Sequence, residues 1–134
     1  MPEIALDAEG ERVLRDAQNF CFQSRVSILA PEHLLAAALL TLGENRPGLP
    51  TAEEVAGAFL MVQGMGSEET DANVMFGSAA RDALNTVARN VRVAGGTAID
   101  AHAIAVGVIG SGEVNPMFFA ELGWSKDRLL AALG

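Results

Sequence analysis

Leu29-Ala30-Pro31-Glu32-His33-Leu34-Leu35-Ala36-Ala37-Ala38-Leu39-Leu40 is the stretch whose reading decides the fold. Proline suits a first helical position, because its missing N–H would be unpaired there in any case. Leu29 before the start and Leu34 inside it predict a hydrophobic staple. From Leu34 the segment is apolar nearly all round as far as Gly43, so a central, buried helix is predicted. Such a helix must be wrapped by others, and the flanking sequence supplies them.

Upstream, Val13, Leu14, Ala17, Phe20 and Cys21 recur every three to four residues, with Glu11, Arg12, Arg15, Asp16 and Gln18 between them. That spacing predicts an amphipathic helix over Ala8 to Ser24. Downstream, Glu44 to Pro50 holds two prolines and a glycine and reads as a loop. Thr51-Ala52-Glu53-Glu54 is a capping box that opens a third helix running through Val55, Phe59 and Val62 to Gly64. A short fourth helix is expected from Ser67-Glu68-Glu69.

The pattern then restarts. Gly10, Leu14, Ala17 and Cys21 map at an offset of 70 onto Ala80, Leu84, Val87 and Val91. Asp100-Ala101-His102 is matched to Pro31-Glu32-His33, and Ile99 with Ile104 repeats the staple. Gly110 and Gly112 end that helix, Asn115-Pro116 opens another that Gly123 closes, and Ser125 caps the last, with Trp124 stapled to Leu129. Alternating strand patterns are scarce. The expected fold is all-α: two pseudo-symmetric four-helix repeats, about 6–75 and about 76–134, packed as one domain over 1–134 because each alone is too small to bury its apolar faces.

Composition narrows the function. The 134 residues carry 9 basic and 17 acidic side chains, a net charge of −8. Nucleic acid and anionic membranes need clustered Lys and Arg, so neither is expected as a main partner. The aliphatic run Leu34 to Leu42 is far short of the roughly 20 residues of a membrane span. The N-terminus has no basic region of a secretory signal, and one cysteine cannot form an internal disulfide. A soluble, reduced, cytoplasmic and monomeric protein is expected. There is no phosphate-binding G-x-x-x-x-G-K-[ST], no G-x-S-x-G elbow and no H-E-x-x-H helix. Gly110-Ser111-Gly112 follows no predicted strand, so it is not read as a phosphate cradle. No catalytic residue, metal site or cofactor is expected, and the sequence argues for a binding module.

The order of these motifs carries a resemblance. Glu11-Arg12-Val13-Leu14, Ala17 and Ala30-Pro31-Glu32-His33-Leu34-Leu35 resemble the first repeat of the Clp N-terminal (Clp repeat) domain. Gly64-Met65-Gly66-Ser67-Glu68 resembles that family's junction between helices three and four. Asp100-Ala101-His102, Phe119-Ala120-Glu121-Leu122-Gly123-Trp124 and Leu129-Leu130 resemble the second repeat. The domain heads AAA+ unfoldases, capturing substrates and adaptor proteins for the ATPase ring. The resemblance implies a protein- or peptide-binding module whose partners are a Clp-family AAA+ ATPase, its adaptors or client proteins. It implies either a stand-alone protein acting in trans or the N-terminal domain of a longer unfoldase. A reading of another class is a protein that sequesters small molecules or cyclic peptides between its repeats.

The resemblance also implies site residues. Some members bind phosphorylated arginine through an acidic residue before the His of each repeat and a threonine near the first helix. The matching positions here are Glu32 and Ala101 for the acid, and Asp7 and Gly77 for the threonine. A carboxylate at Asp7 repels phosphate, and Ala101 offers no acid, so both argue against phosphoarginine. Glu32 reads first as an acid favoured by the helix dipole, with guanidinium binding as the alternative.

Other residues have plain readings. His33 and His102 are each expected to hydrogen-bond across the loop before them, rather than form a metal or acid–base pair. Cys21 is expected in the core. One of Phe118 and Phe119 is expected to face outward, because successive helix positions point about 100° apart. Met61, Met65, Met75 and Met117 are expected in the core, with an adaptable apolar surface as the alternative. Glu68-Glu69-Thr70-Asp71 reads as a solvated helix start, or else as a dock for basic segments.

Overall fold

The computed structural model describes residues 5–24, 28–44, 48–63 and 75–133. In chain order these form β1 (Ala5–Leu6), α1 (Ala8–Ser24), β2 (Ile28–Leu29), α2 (Pro31–Gly43), α3 (Ala52–Gln63), β3 (Met75–Phe76), α4 (Ser78–Val93), β4 (Ala98–Ile99), α5 (Ala101–Ser111), α6 (Pro116–Leu122) and α7 (Lys126–Leu133). The class is all-α. The fourth helix expected from Ser67, the Gly64–Glu68 junction, Met65 and the acidic run Glu68–Asp71 lie outside the described residues.

Two helices form the centre. The α2 helix packs against α1, α3 and α5, and α5 packs against α2, α4 and α7. Leu34, Leu35, Leu39, Ile104, Val108 and Ile109 are wholly or almost wholly buried. Among the described residues no single helix is long and apolar enough to cross a membrane.

The four short strands are an addition to the helical reading. They pair in parallel across the repeats, Ala5 and Leu6 with Ala98 and Ile99, and Ile28 and Leu29 with Met75 and Phe76. Two residues are too few to show alternation, so the pattern was invisible in the sequence. Each pairing continues into the next helix. Asp7 N–H donates to Ile99 O at 3.1 Å, and Gly77 N–H donates to Leu29 O at 3.0 Å. Each repeat therefore starts its first helix against the strand that opens the other repeat's second helix.

The offset of 70 holds from β1 through the start of α5. This corrects one match made from sequence. Asp100 corresponds to Ala30, Ala101 to Pro31, His102 to Glu32 and Ala103 to His33; the earlier alignment was one residue out. The staples already stepped by 70, Leu29 to Ile99 and Leu34 to Ile104. Fixing the register on the shared His overrode them.

Helix ends follow their caps. Thr51 Oγ1 accepts Glu54 N–H at 3.1 Å while Glu54 Oε1 accepts Thr51 N–H at 3.0 Å. Asn115 Oδ1 accepts Met117 N–H, and Ser125 Oγ accepts Arg128 N–H. Gly112 and Gly123 close α5 and α6 in the left-handed region, at φ 75° and 78°. Exposed Arg12 and Glu44 pair through both guanidinium nitrogens and link α1 to the end of α2.

Two further expectations meet the packing. Neither Phe118 nor Phe119 faces outward: they are 0% and 9% exposed, and their rings stack edge to face at 6.1 Å. The seven-residue α6 rests on α3 and closes over the end of α5, so both neighbouring positions are covered. Met117 is the exposed residue there, at 55%. Cys21 is fully buried, as expected, and burial pushes its thiol up to about 11. Native protein at pH 8 is expected to resist iodoacetamide and to take up one carbamidomethyl group once unfolded in guanidinium, read by intact mass. Modification within minutes in the native state would contradict the burial.

Candidate functional site

The two second helices begin in chemically different ways, although the fold relates them by symmetry. At α5, Asp100 caps conventionally: its Oδ1 accepts Ala103 N–H at 2.8 Å. A second carboxylate arrives from α1, where Glu9 Oε1 accepts Ala101 N–H at 3.0 Å. Asp7 caps its own helix, accepting Gly10 N–H at 2.8 Å. His102 reaches the other end of the molecule, its Nε2 lying 2.8 Å from Leu133 O at the end of α7. It does not bond across the preceding loop as expected, because Asp100 already holds that role. The α5 start is thus closed by the protein's own carboxylates.

At α2 the same positions hold different residues. Pro31 stands where Ala101 stands and has no N–H to satisfy. Ala79 stands where Glu9 stands and has no carboxylate to offer. This compensated exchange is visible in the sequence once the offset of 70 is kept, and Glu9 was missed because it was not. Gly77, the counterpart of Asp7, precedes α4 in an extended conformation with no side-chain cap. His33 takes the capping role, its Nδ1 accepting Ala30 N–H at 2.9 Å. That is the reach-back of a capping box, made here by an imidazole that is 0% exposed. Burial pushes His33 down to about 4, against an opposing pull from the Ala30 backbone. Its ring is neutral at pH 7.

Glu32 is 8% exposed, and its Oε2 has no hydrogen-bond partner. Burial raises its pKa, opposed by its own backbone N–H and that of Asn115 at the start of α6. A buried carboxylate with an unsatisfied oxygen carries a desolvation cost that the fold does not repay.

The four residues matched to the family's site therefore fall into two pairs that cross the repeats. Gly77 lies beside the strand leading to Glu32, and Asp7 lies beside the strand leading to Ala101. The carboxylate of Asp7, expected to repel phosphate at the first repeat's site, belongs to the α5 side. Among the described residues no three His, Cys, Asp or Glu side chains gather into a metal-binding group. A hollow of about 320 Å³ lies at the α2–α3 turn, lined by Leu39, Leu40, Leu49 and Pro50 among others. It belongs to repeat one and not to a cleft between the repeats.

Known proteins supply one more observation. No family model matches the sequence, and no curated protein matches it. Among solved structures, the chain is similar to the N-terminal domain of the caseinolytic protease associated chaperone ClpD from Arabidopsis thaliana. The TM-score is 0.75 over 96% of this chain and 94% of that one, at 16% sequence identity. The chain has the Clp N-terminal domain fold.

Proposed function

We propose that this chain is a non-catalytic peptide- and protein-binding module of the Clp chaperone–protease kind, which takes up clients or adaptors at the start of α2. One observation carries the reading: a carboxylate nearly wholly buried at Glu32, with one oxygen unpartnered. An incoming arginine guanidinium would match a carboxylate in a planar, bidentate contact and draw it back to its ionised form. The fold and the likeness to a Clp-associated chaperone's N-terminal domain support the class of partner. The module works in trans, as a cytoplasmic monomer, with a Clp-family AAA+ ATPase, its adaptors or their clients.

The test compares tagged wild type with Glu32→Gln in affinity capture from the source organism's lysate, followed by mass spectrometry. A Clp-type ATPase or adaptor should be enriched by wild type and lost with Glu32→Gln. Equal recovery by both proteins would remove the assignment to Glu32, and recovery of neither partner class would remove the Clp reading. Stability separates lost binding from lost fold. The raised folded pKa means the native state holds this proton above the unfolded pKa, so the penalty grows as pH rises through the folded value. Glu32→Gln should therefore stabilise the fold at pH 7.5 by about 1 kcal/mol, and by less in acid.

A further inference from the structure

Helix α4 runs against the acidity of the chain. Arg81, Arg89 and Arg92 lie on it with Asp82 as its one acid, a net +2 on a protein whose total is −8. At about 100° per residue, Arg81, Asn85, Arg89 and Arg92 fall within an arc of about 80° and span about 16 Å of helix axis. All four are exposed, on the side opposite the buried Ala80, Ala83 and Val87. Among the described residues the ion pairs are those of Arg12 with Asp16 and Glu44, so the α4 arginines are unpaired.

Neither the fold nor the helix asks for this stripe. The corresponding α1 positions are Glu11, Arg15, Asn19 and Phe22, a mixed set. Arg81 sits near the positive end of the helix dipole, where a cation is disfavoured. Beyond Arg92, Val93 is 83% exposed, a large apolar side chain held in solvent. A cationic stripe ending in an exposed apolar residue is the complement of an acidic amphipathic segment.

We infer that the exposed face of α4 docks an acidic segment of a partner protein, with carboxylates at helix-turn spacing against Arg81, Arg89 and Arg92 and an apolar side chain against Val93. At 0.15 M salt the screening length is about 8 Å, so a ligand lying on α4 feels these arginines more than the acidic remainder. This surface is separate from the start of α2 and does not rest on the reading of Glu32.

The probe is a fluorescein-labelled peptide with glutamates at i, i+4, i+8 and i+11 and a leucine at i+12, followed by anisotropy in 0.15 M NaCl. Its all-glutamine version should not bind. Arg81→Gln/Arg89→Gln/Arg92→Gln should weaken binding at least about tenfold at unchanged melting temperature, and Val93→Ser by a smaller factor. Arg12→Gln/Arg15→Gln on α1, and Glu32→Gln, should leave it unchanged. The inference is overturned if the glutamate peptide fails to bind, or if the triple variant binds it as tightly as wild type does. It is equally overturned if labelled oligothymidylate of the same charge competes as well as the peptide, or if the triple variant's defect proves to be loss of a self-associated dimer in sedimentation.

Discussion

Gly107→Ala is expected to destabilise the protein by about 2–3 kcal/mol, the cost of overpacking a filled core. A Cβ at Gly107 would lie 2.4 Å from Val87 Cγ2 and 2.8 Å from Val87 Cα. The second contact is with backbone, so a rotamer change on α4 does not relieve it. The offset of 70 shows how the fold arrived there. Gly107 corresponds to Ala37 and Val87 to Ala17, all buried. The α1–α2 crossing holds two alanines where the α4–α5 crossing holds a valine and a glycine, so side-chain bulk has moved across one interface. Val87→Ala in the Gly107→Ala background should therefore restore stability, although Val87→Ala alone leaves a cavity and costs about 1–2 kcal/mol. Urea unfolding of the four proteins measures the coupling, expected at about 2 kcal/mol. Additive losses would contradict the exchange.

The second large effect is acid sensitivity. His33 has a folded pKa of about 4 against 6.5 unfolded. The unfolded chain therefore binds more protons between those values, and stability falls as pH drops through that window. The full span is worth about 3 kcal/mol, from about 1.4 kcal/mol per unit. Glu32, beside it, works in the opposite sense and blunts the fall, because protonation relieves its buried charge. His33→Gln keeps an acceptor at the capping-box position while removing the titration. Urea midpoints from pH 4 to 7.5 should be steep in wild type and flatter in His33→Gln. Equal slopes would show that His33 is not buried neutral.

Helices were legible wherever burial or capping left a periodic trace. The Ala8–Ser24 amphipathic stripe, the apolar run after Pro31 and the Thr51–Glu54 box each define an observed helix. The β pairings left none, since two-residue strands are made of backbone bonds between segments distant in sequence. Phe118 and Phe119 misled because helix periodicity assumes one covered face, and short α6 is covered on two. The site was half legible. Glu32 was singled out, yet its surroundings depend on which strand crosses to which helix, and that placed Gly77 rather than Asp7 beside it. Glu9 was readable only jointly with Pro31, through the compensated pairs Glu9–Ala101 and Ala79–Pro31.

The claim that the two helix starts differ, one open and one closed by Glu9 and Asp100, has a direct test. Amide chemical shifts of the labelled protein are followed while an arginine-containing peptide is added, with the same peptide bearing citrulline as a neutral control. Shifts confined to Glu32, His33, Gly77 and Asn115, absent with citrulline and absent in Glu32→Gln, are the expected result. Shifts centred on Asp7, Ala101 and Ala103, or an equal response to citrulline, would contradict it.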